Sequence, residues 1–495
     1  MITNDNMFIS VKHMVLEHVA RLAWNDELDE DHLDALVDEL IPGPKPQYRC
    51  CIYKEREVLK QRLKLARGKN TTANPDSGNV VQVIQAACDQ CPISTYTVTD
   101  NCRLCLGKAC LSSCNFGAVS IGDKRSHIDP NKCRECGKCA AACPYGVIVH
   151  LVRPCKKVCP VGAISFDENG FCVIDESKCI NCGHCIHSCP FGAISSKTYL
   201  VQIIDAIRNG KKVIAMCAPS IEGQFGEKVS LQSIKNALIR LGFADMIEVG
   251  LGADITAAYE SAEWTQAKKE GRRMTTSCCP AFINMLRNNF PEQYKENMSE
   301  VVSPMCAVSR YLKHLDPECV TVFIGPCIAK KSETLDKSVS GNADYAITFG
   351  ELRVLMRSKN LEFEETDEQY QESSVWGKRF ASAGGVANAV IECMKERGED
   401  TTDIRLCKAT GALECRKALA LLKAGKLPED FIEGMACPDG CVGGPSNHRA
   451  PAEISKAREK LLSTADGRSI LKNVEDLPLD KFSMFRDGHI EKLPG

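Results

Sequence analysis

The sequence predicts a multidomain α+β chain, with a compact cysteine-rich module followed by a larger α/β domain. Three observations carry this prediction. The 495 residues suggest about three compact units at ~150 residues each. Sixteen of the 30 cysteines fall in close-set motifs between Cys88 and Cys189, with Cys172 a singleton among them. From about Tyr199 onward, amphipathic helical stretches alternate with short buried-strand patterns, as in LVQIIDAIRNGKKVIAMCAPS and VTVFIGPC, which is the signature of α/β layering. The expected units are 1–79, a helical segment with a linker; 80–198, the cysteine module; and 199–495, the α/β domain.

Along 1–79, apolar residues recur at helical spacing. Val11, Met14, Val15, Val19 and Leu22 form one face, and Leu33, Leu36, Val37 and Leu40 another, stopping at Pro42-Gly43-Pro44. The charged run Tyr53 to Lys69 reads as a solvated amphipathic helix, and GKNTTANPDSGN at 68–79 reads as a linker.

Composition narrows the function classes. The chain is 44% hydrophobic and 25% charged, which is ordinary for a protein with a real core. Lys+Arg 62 against Asp+Glu 64 asks for neither nucleic acid nor an anionic membrane. No run of 18 apolar residues occurs, and the start lacks a basic n-region followed by an apolar stretch. We therefore expect the cytoplasm, where thiols stay reduced and available for metal.

One pattern, C-x3-C-(P/N)-x-G-(A/V)-(I/V), occurs four times, beginning at Cys110, Cys139, Cys155 and Cys185. Three copies carry an upstream C-x2-C, giving the triplets Cys102, Cys105, Cys110; Cys133, Cys136, Cys139; and Cys179, Cys182, Cys185. Zinc sites use C-x2-C pairs but do not normally run as such tight units, and c-type haem needs C-x2-C-H, whereas Ile186 follows Cys185. The block resembles bacterial ferredoxins, in which a triplet binds one cubane and the cysteine before proline serves the other. That resemblance implies a ferredoxin-like iron-sulfur module. Its cluster ligands would be Cys102, Cys105, Cys110 and Cys143; Cys133, Cys136, Cys139 and Cys114; and Cys179, Cys182, Cys185 and Cys159. Cys155 and Cys189 remain, and Cys88 with Cys91 supplies a C-x2-C just upstream. Together these four would hold a fourth accessory 4Fe-4S cluster; the alternative is a three-cluster module with ordinary thiols at Cys88 and Cys91.

Three further motifs sit in the α/β region: TTSCCPAF with Cys278 and Cys279, GPCIAKKSE with Cys327, and EGMACPDGCVGG with Cys437 and Cys441. Only a fold brings them together. Buried structural cysteine is a plain reading for Cys319, Cys393, Cys407 and Cys415, but not for motifs flanked by Pro, Lys and Gly. From CAPS at 217 to CVGGP at 445 the sequence resembles the catalytic domain of FeFe hydrogenases. The resemblance implies an H-cluster: a cubane on Cys279, Cys327, Cys437 and Cys441, with Cys441 bridging to a di-iron subsite that bears carbon monoxide, cyanide and azadithiolate. Ala218, Pro219, Ser220 and Lys330 match positions that hold cyanide, and Met435 matches a wall residue. Buried cyanide needs hydrogen-bond donors, which suits Lys330.

The resemblance further implies that Cys278 is no ligand but relays protons, with Glu260, Glu263 and Ser299 at the positions of further stations. Each Glu alone reads as a solvated helix face; their i, i+3 spacing puts both on one face, as a relay needs. Phe282, Gly325, Met305 and Cys306 depart from the best-known pattern and resemble the group B branch. VGLGAD at 249–254 lacks a third glycine and supports no nucleotide site.

The expected activity is reversible interconversion of dihydrogen with protons and electrons. The electrons would pass through three to four accessory clusters to ferredoxin or a similar carrier, after loading by maturation proteins. A hydrogenase-like iron-sulfur assembly or sensor protein is the rival, and would be expected to lose Lys330, Cys278 or the TSCCP loop. Cys50 and Cys51 have no assigned role.

Overall fold

The computed structural model describes residues 7–49, 51–88, 91, 96–366 and 368–493. Among these no helix is long and apolar enough to cross a membrane. Two parallel sheets organise the α/β region. The larger has four strands in the order Asp245–Glu248, Val213–Cys217, Val320–Gly325, Tyr345–Thr348. Cys217 lies opposite Ile324 in its register, and the strand Val213–Cys217 is buried along its whole length, as expected for a parallel strand covered on both faces. The smaller sheet runs Met274–Thr275, Phe431–Met435, Leu406–Thr410, again parallel. Each strand that precedes a cysteine motif therefore delivers that motif at its carboxyl end, where open α/β sheets leave room for a ligand.

The helix Val249–Lys269 is buried over most of its circumference. It packs on the helices Pro304–Leu315 and Gly385–Glu396. Gly252 allows the first contact, since a Cβ there would stand 2.2 Å from the carbonyl oxygen of Pro304.

In the cysteine module, short antiparallel pairs frame the repeats: Tyr96–Val98 with Ile148–His150, Val119–Ile121 with Ser126–Ile128, and Ile164–Phe166 with Cys172–Ile174. The strand Val81–Val83 pairs with Ile194–Ser196, which ties the two ends of the module together.

The N-terminal helices Met7–Asn25 and Glu30–Leu40 follow the expected periodicity, burying Val15, Val19, Leu33, Leu36 and Val37. They share one hydrophobic core with Leu200, Ile203, Val213 and Leu352 of the α/β region. One expectation is corrected. The helix Ile52–Ala66 is not solvated; Glu55, Gln61 and Arg62 are buried along with Val58, Leu59 and Leu63. Its charges are satisfied within the protein. Glu55 accepts the backbone N–H groups of Gln47, Tyr48 and Arg49, and Arg62 donates to the carbonyl of Gly192 at 2.9 Å. The stretch read as a linker is likewise packed, with Thr71 buried and Gly78 donating to Glu176 at 3.2 Å. Cys51 caps the start of Ile52–Ala66 without a side-chain bond, and Cys50 lies outside the described residues.

Candidate active site and iron-sulfur path

The ends of both sheets converge on one small, mostly apolar cavity of about 90 Å³. Cys279, Cys327, Cys437 and Cys441 all line it, although up to 162 residues separate them in sequence. Cys279 precedes the helix Pro280–Asn289, Cys327 follows the strand Val320–Gly325, and Cys437 follows Phe431–Met435. Burial pushes the thiols of Cys327, Cys437 and Cys441 upward, and the neighbouring sulfurs push them further, Cys441 to about 11. Such thiols ionise together only against concentrated positive charge, which an iron-sulfur cubane supplies. Gly440, at φ +76, lets the backbone pass where a Cβ would meet the carbonyl oxygen of Ala381 at 2.8 Å.

The rest of the wall is Ala218, Pro219, Ser220, Cys278, Met305, Lys330 and Met435, among others. Two of these are polar and buried. The Ser220 hydroxyl is fully buried and has no hydrogen-bond partner among the described residues, a costly arrangement unless something in the cavity accepts from it. Lys330 donates to Ser303 at 3.0 Å and to Glu333 at 2.7 Å. Burial opposes its charge, yet Glu333 outweighs that and holds its pKa above the ordinary value. The donor set therefore fits a buried anionic group beside a thiolate cluster. Phe282 lies behind this wall, its ring closed over Gly434, and Cys306 points away, its thiol towards the carbonyl of Ser340 at 3.8 Å.

Cys278 is buried and sits within electrostatic reach of Glu260, Cys279 and Glu433; burial first, then those neighbours, raises its pKa. It is a neutral thiol in this setting. Glu260 accepts from the backbone N–H of Ser277 at 3.0 Å. Ser299 stands between the two carboxylates, donating to Glu263 at 2.7 Å and interacting with Glu260. Burial raises both carboxyls, Glu260 to about 7. Glu263 reaches a surface cavity of about 990 Å³ lined by Arg272, Glu296 and Glu300. The solvated-face reading thus fails for Glu260, which is 0% exposed.

The accessory cysteines fall into neighbouring sets. Cys179, Cys182, Cys185 and Cys159 influence one another electrostatically. Cys88 and Cys91 both sense Cys155 and Cys189. Cys139 senses Cys133 and Cys114, while Cys102, Cys105, Cys110 and Cys143 line one small cavity. Cys136 is exposed. Cys437 also senses Cys182, and Cys185 senses Cys155, so the groups succeed one another outward from the main cavity.

Comparison with known proteins decides the family. The model for the iron only hydrogenase large subunit, C-terminal domain, matches residues 211–445, and iron hydrogenase 1 of Clostridium pasteurianum is 30% identical over 390 residues, covering 68% of this chain and 67% of that protein. The chain belongs to the FeFe hydrogenases. It is an FeFe-hydrogenase-type oxidoreductase that acts at an iron-sulfur site and relays electrons through accessory clusters. A 4Fe-4S binding domain matches residues 125–148 and an LdpA Fe-S cluster-binding domain residues 150–200. The NADP-reducing hydrogenase subunit HndD of Solidesulfovibrio fructosivorans is 27% identical over 454 residues, covering 77% of this chain and 69% of that one. A solved structure of the FeFe hydrogenase HydA1 from Chlamydomonas reinhardtii matches with TM-score 0.45 at 22% identity, covering 54% of this chain and 90% of that one.

Sequence reasoning missed Ser277, Glu333 and Glu433. Glu333 had a local signal, three residues after Lys330 in a helix Ala329–Glu333. Glu433 had none; it is buried in the strand Phe431–Met435 and accepts the backbone N–H groups of Gly384 and Ala387, at 2.6 and 2.8 Å, across the start of another helix.

Proposed function

We propose that this hydrogenase interconverts dihydrogen with two protons and two electrons at an H-cluster held by Cys279, Cys327, Cys437 and Cys441. The observation that carries this reading is the meeting of four motif thiols, a Ser220 hydroxyl with no partner among the described residues, Lys330 and Cys278 around one small apolar cavity. When bound, the cluster, with its carbon monoxide, cyanide and azadithiolate, supplies an open iron position and a base between which dihydrogen is cleaved. Everything else falls to the chain. Lys330 and Ser220 would donate to buried cyanide, with Ala218 and Pro219 lining the pocket beside them, and Met435 would close the wall against water. Cys278 holds a proton at Sγ, and Glu260, Ser299 and Glu263 carry it to the surface cavity. Electrons leave by the other side, through Cys182 and its partners, then the Cys88, Cys91, Cys155 and Cys189 set, then the two outer sets.

The redox partner is read as ferredoxin or a similar acidic carrier. Residues 101–150 carry seven Lys and Arg against three Asp and Glu, and Leu106, Phe116 and Tyr145 of this outer module are exposed. Loading by maturation proteins in the cytoplasm completes the picture. The test is infrared spectroscopy of matured protein. Bands of metal-bound cyanide and carbon monoxide, together with hydrogen evolution from reduced ferredoxin, are expected; matured protein without those bands would refute the assignment.

A further inference from the structure

Away from the active cavity, a second one of about 590 Å³ opens between the helix Met7–Asn25, the helix Phe349–Ser358, the short helix His184–Ser188 and the stretch 445–448. Its lining is strongly biased in charge. Lys12, Arg353 and Arg357 contribute cations, and His13, His187 and His448 add ring nitrogens. Glu17 is the one carboxylate among the described lining residues, and it is occupied by Arg21 at 2.8 Å and Arg357 at 3.0 Å. Both ring nitrogens of His187 and the Nε2 of His448 are buried without partners among the described residues. A folded protein does not normally gather cations and unpartnered donors around an open space without something to receive them.

We propose that this cavity binds a phosphate-bearing small molecule. The donors come from four separate elements and surround the space, which suits an anion with several oxygens better than a single carboxylate. Guanidinium groups at Arg353 and Arg357 offer planar forks that match phosphate oxygens, and Lys12 offers a point charge from the opposite helix. The volume accommodates a group as small as pyrophosphate and, across the mouth where Arg357 is exposed, the remainder of a nucleotide. Burial and then Lys12 and Arg357 depress His13 to about 3, and burial and then Arg353 depress His448 to about 4, so both rings are neutral and offer hydrogen bonds, while the cationic charge comes from Lys12, Arg353 and Arg357.

The placement couples occupancy to electron transfer. Ile186 and His187 sit between Cys185 and Cys189, and Ile328 directly follows Cys327. A bound anion there opposes addition of an electron, and by linkage reduction weakens its binding. A tenfold difference in affinity between the two redox states corresponds to about 59 mV for a one-electron couple.

The test is calorimetry on full-length, cluster-loaded protein under anaerobic conditions, with inorganic phosphate, pyrophosphate, ATP and citrate as probes. Saturable binding of pyrophosphate is expected, at least tenfold weaker in Lys12→Met and in Arg353→Met, and accompanied by a fall in cluster midpoint potential. Arg357→Ala, at the exposed mouth, gives a third variant should a buried one fail to fold. ATP binding tighter than pyrophosphate would assign the ligand as a nucleotide; equal binding would assign the bare phosphate group. Absence of saturable phosphate binding at millimolar concentration, citrate binding as tight as pyrophosphate, affinity unchanged in the variants, or an unmoved potential would each overturn the proposal.

Discussion

Replacing Glu260 by Gln should move activity and stability in opposite directions. Glutamine keeps the length and an acceptor for the Ser277 N–H, now 3.0 Å from the carboxylate, but it cannot take up and release a proton. Removing a positioned proton carrier typically costs 10²–10⁴-fold, equivalent to about 3–5 kcal/mol in the barrier. Iron content and infrared bands should be unchanged, because Glu260 touches no ligand sulfur. Stability follows from the carboxyl's pKa, which burial lifts from 4.5 to about 7. A carboxyl raised on folding binds its proton more tightly in the native state. Stability is therefore lost as pH rises from about 4.5 to about 7 and stays lost above that. The full effect is on the order of 3 kcal/mol at ~1.36 kcal/mol per decade. The Gln variant escapes it, so at pH 8 it should be the more stable protein, with the advantage vanishing by about pH 4.5. Hydrogen evolution from reduced viologen and denaturant unfolding at the two pH values provide the assays. Turnover within tenfold of the parent, or a variant less stable than the parent at pH 8, would refute the reasoning.

Cys278→Ser should retain all its iron while losing nearly all turnover, since the proposed function makes the thiol a relay and not a ligand; near-normal evolution would sink that role. Lys330→Ala removes a cyanide donor and leaves Glu333 partly buried without its cation, so di-iron occupancy should fall, as read from the cyanide bands. Replacing Cys88 and Cys91 together by Ala should lower iron content from about 22 to about 18 and erase one cluster signal while sparing the H-cluster; unchanged iron would show that the fourth accessory cluster does not exist. Lys331→Met strands Glu351 in the core, where both partners are almost wholly buried, and should cost about 3–5 kcal/mol in unfolding experiments, most of it recovered when Glu351 is also replaced by Met.

How much of this was legible in the sequence depends on how local each signal is. Ferredoxin-type motifs space most of their cysteines a few residues apart on one stretch of chain, so the repeats at Cys110, Cys139, Cys155 and Cys185 were visible in the sequence. The catalytic motifs were legible for a related reason, because each follows a strand whose buried apolar run is itself local. Burial of Ile52–Ala66 was not legible. Its charges are compatible with the interior only because residues 47–49 and Gly192 receive them, and nothing within the helix encodes that. Glu260 shows the same limit from the other side: its spacing to Glu263 suggested a shared face, but only the neighbouring Ser277 and Ser299 turn that face into an interior one. The basic cavity was equally silent, since Lys12, His187, Arg353 and His448 are scattered over more than 430 residues.

On the proposed function the site must keep protons and electrons apart, and the pair Cys278-Cys279 would do so with two consecutive residues. The backbone at Cys279 is extended, at φ −91 and ψ 109, and successive side chains on an extended chain point to opposite sides. Cys279 accordingly joins Cys327, Cys437 and Cys441, and through Cys437 lies on the side of Cys182 and the accessory sets. Cys278 turns towards Glu260 and the carboxylate chain to Glu263. Both sulfurs line the one cavity, and they differ in what each has beyond it. The proline at 280 starts the next helix one residue later, which keeps Cys279 outside that helix in extended chain. Separation of the two paths thus rests on backbone geometry set by TSCCP, and the distant parts of the fold need only bring an acid to one side and thiolates to the other.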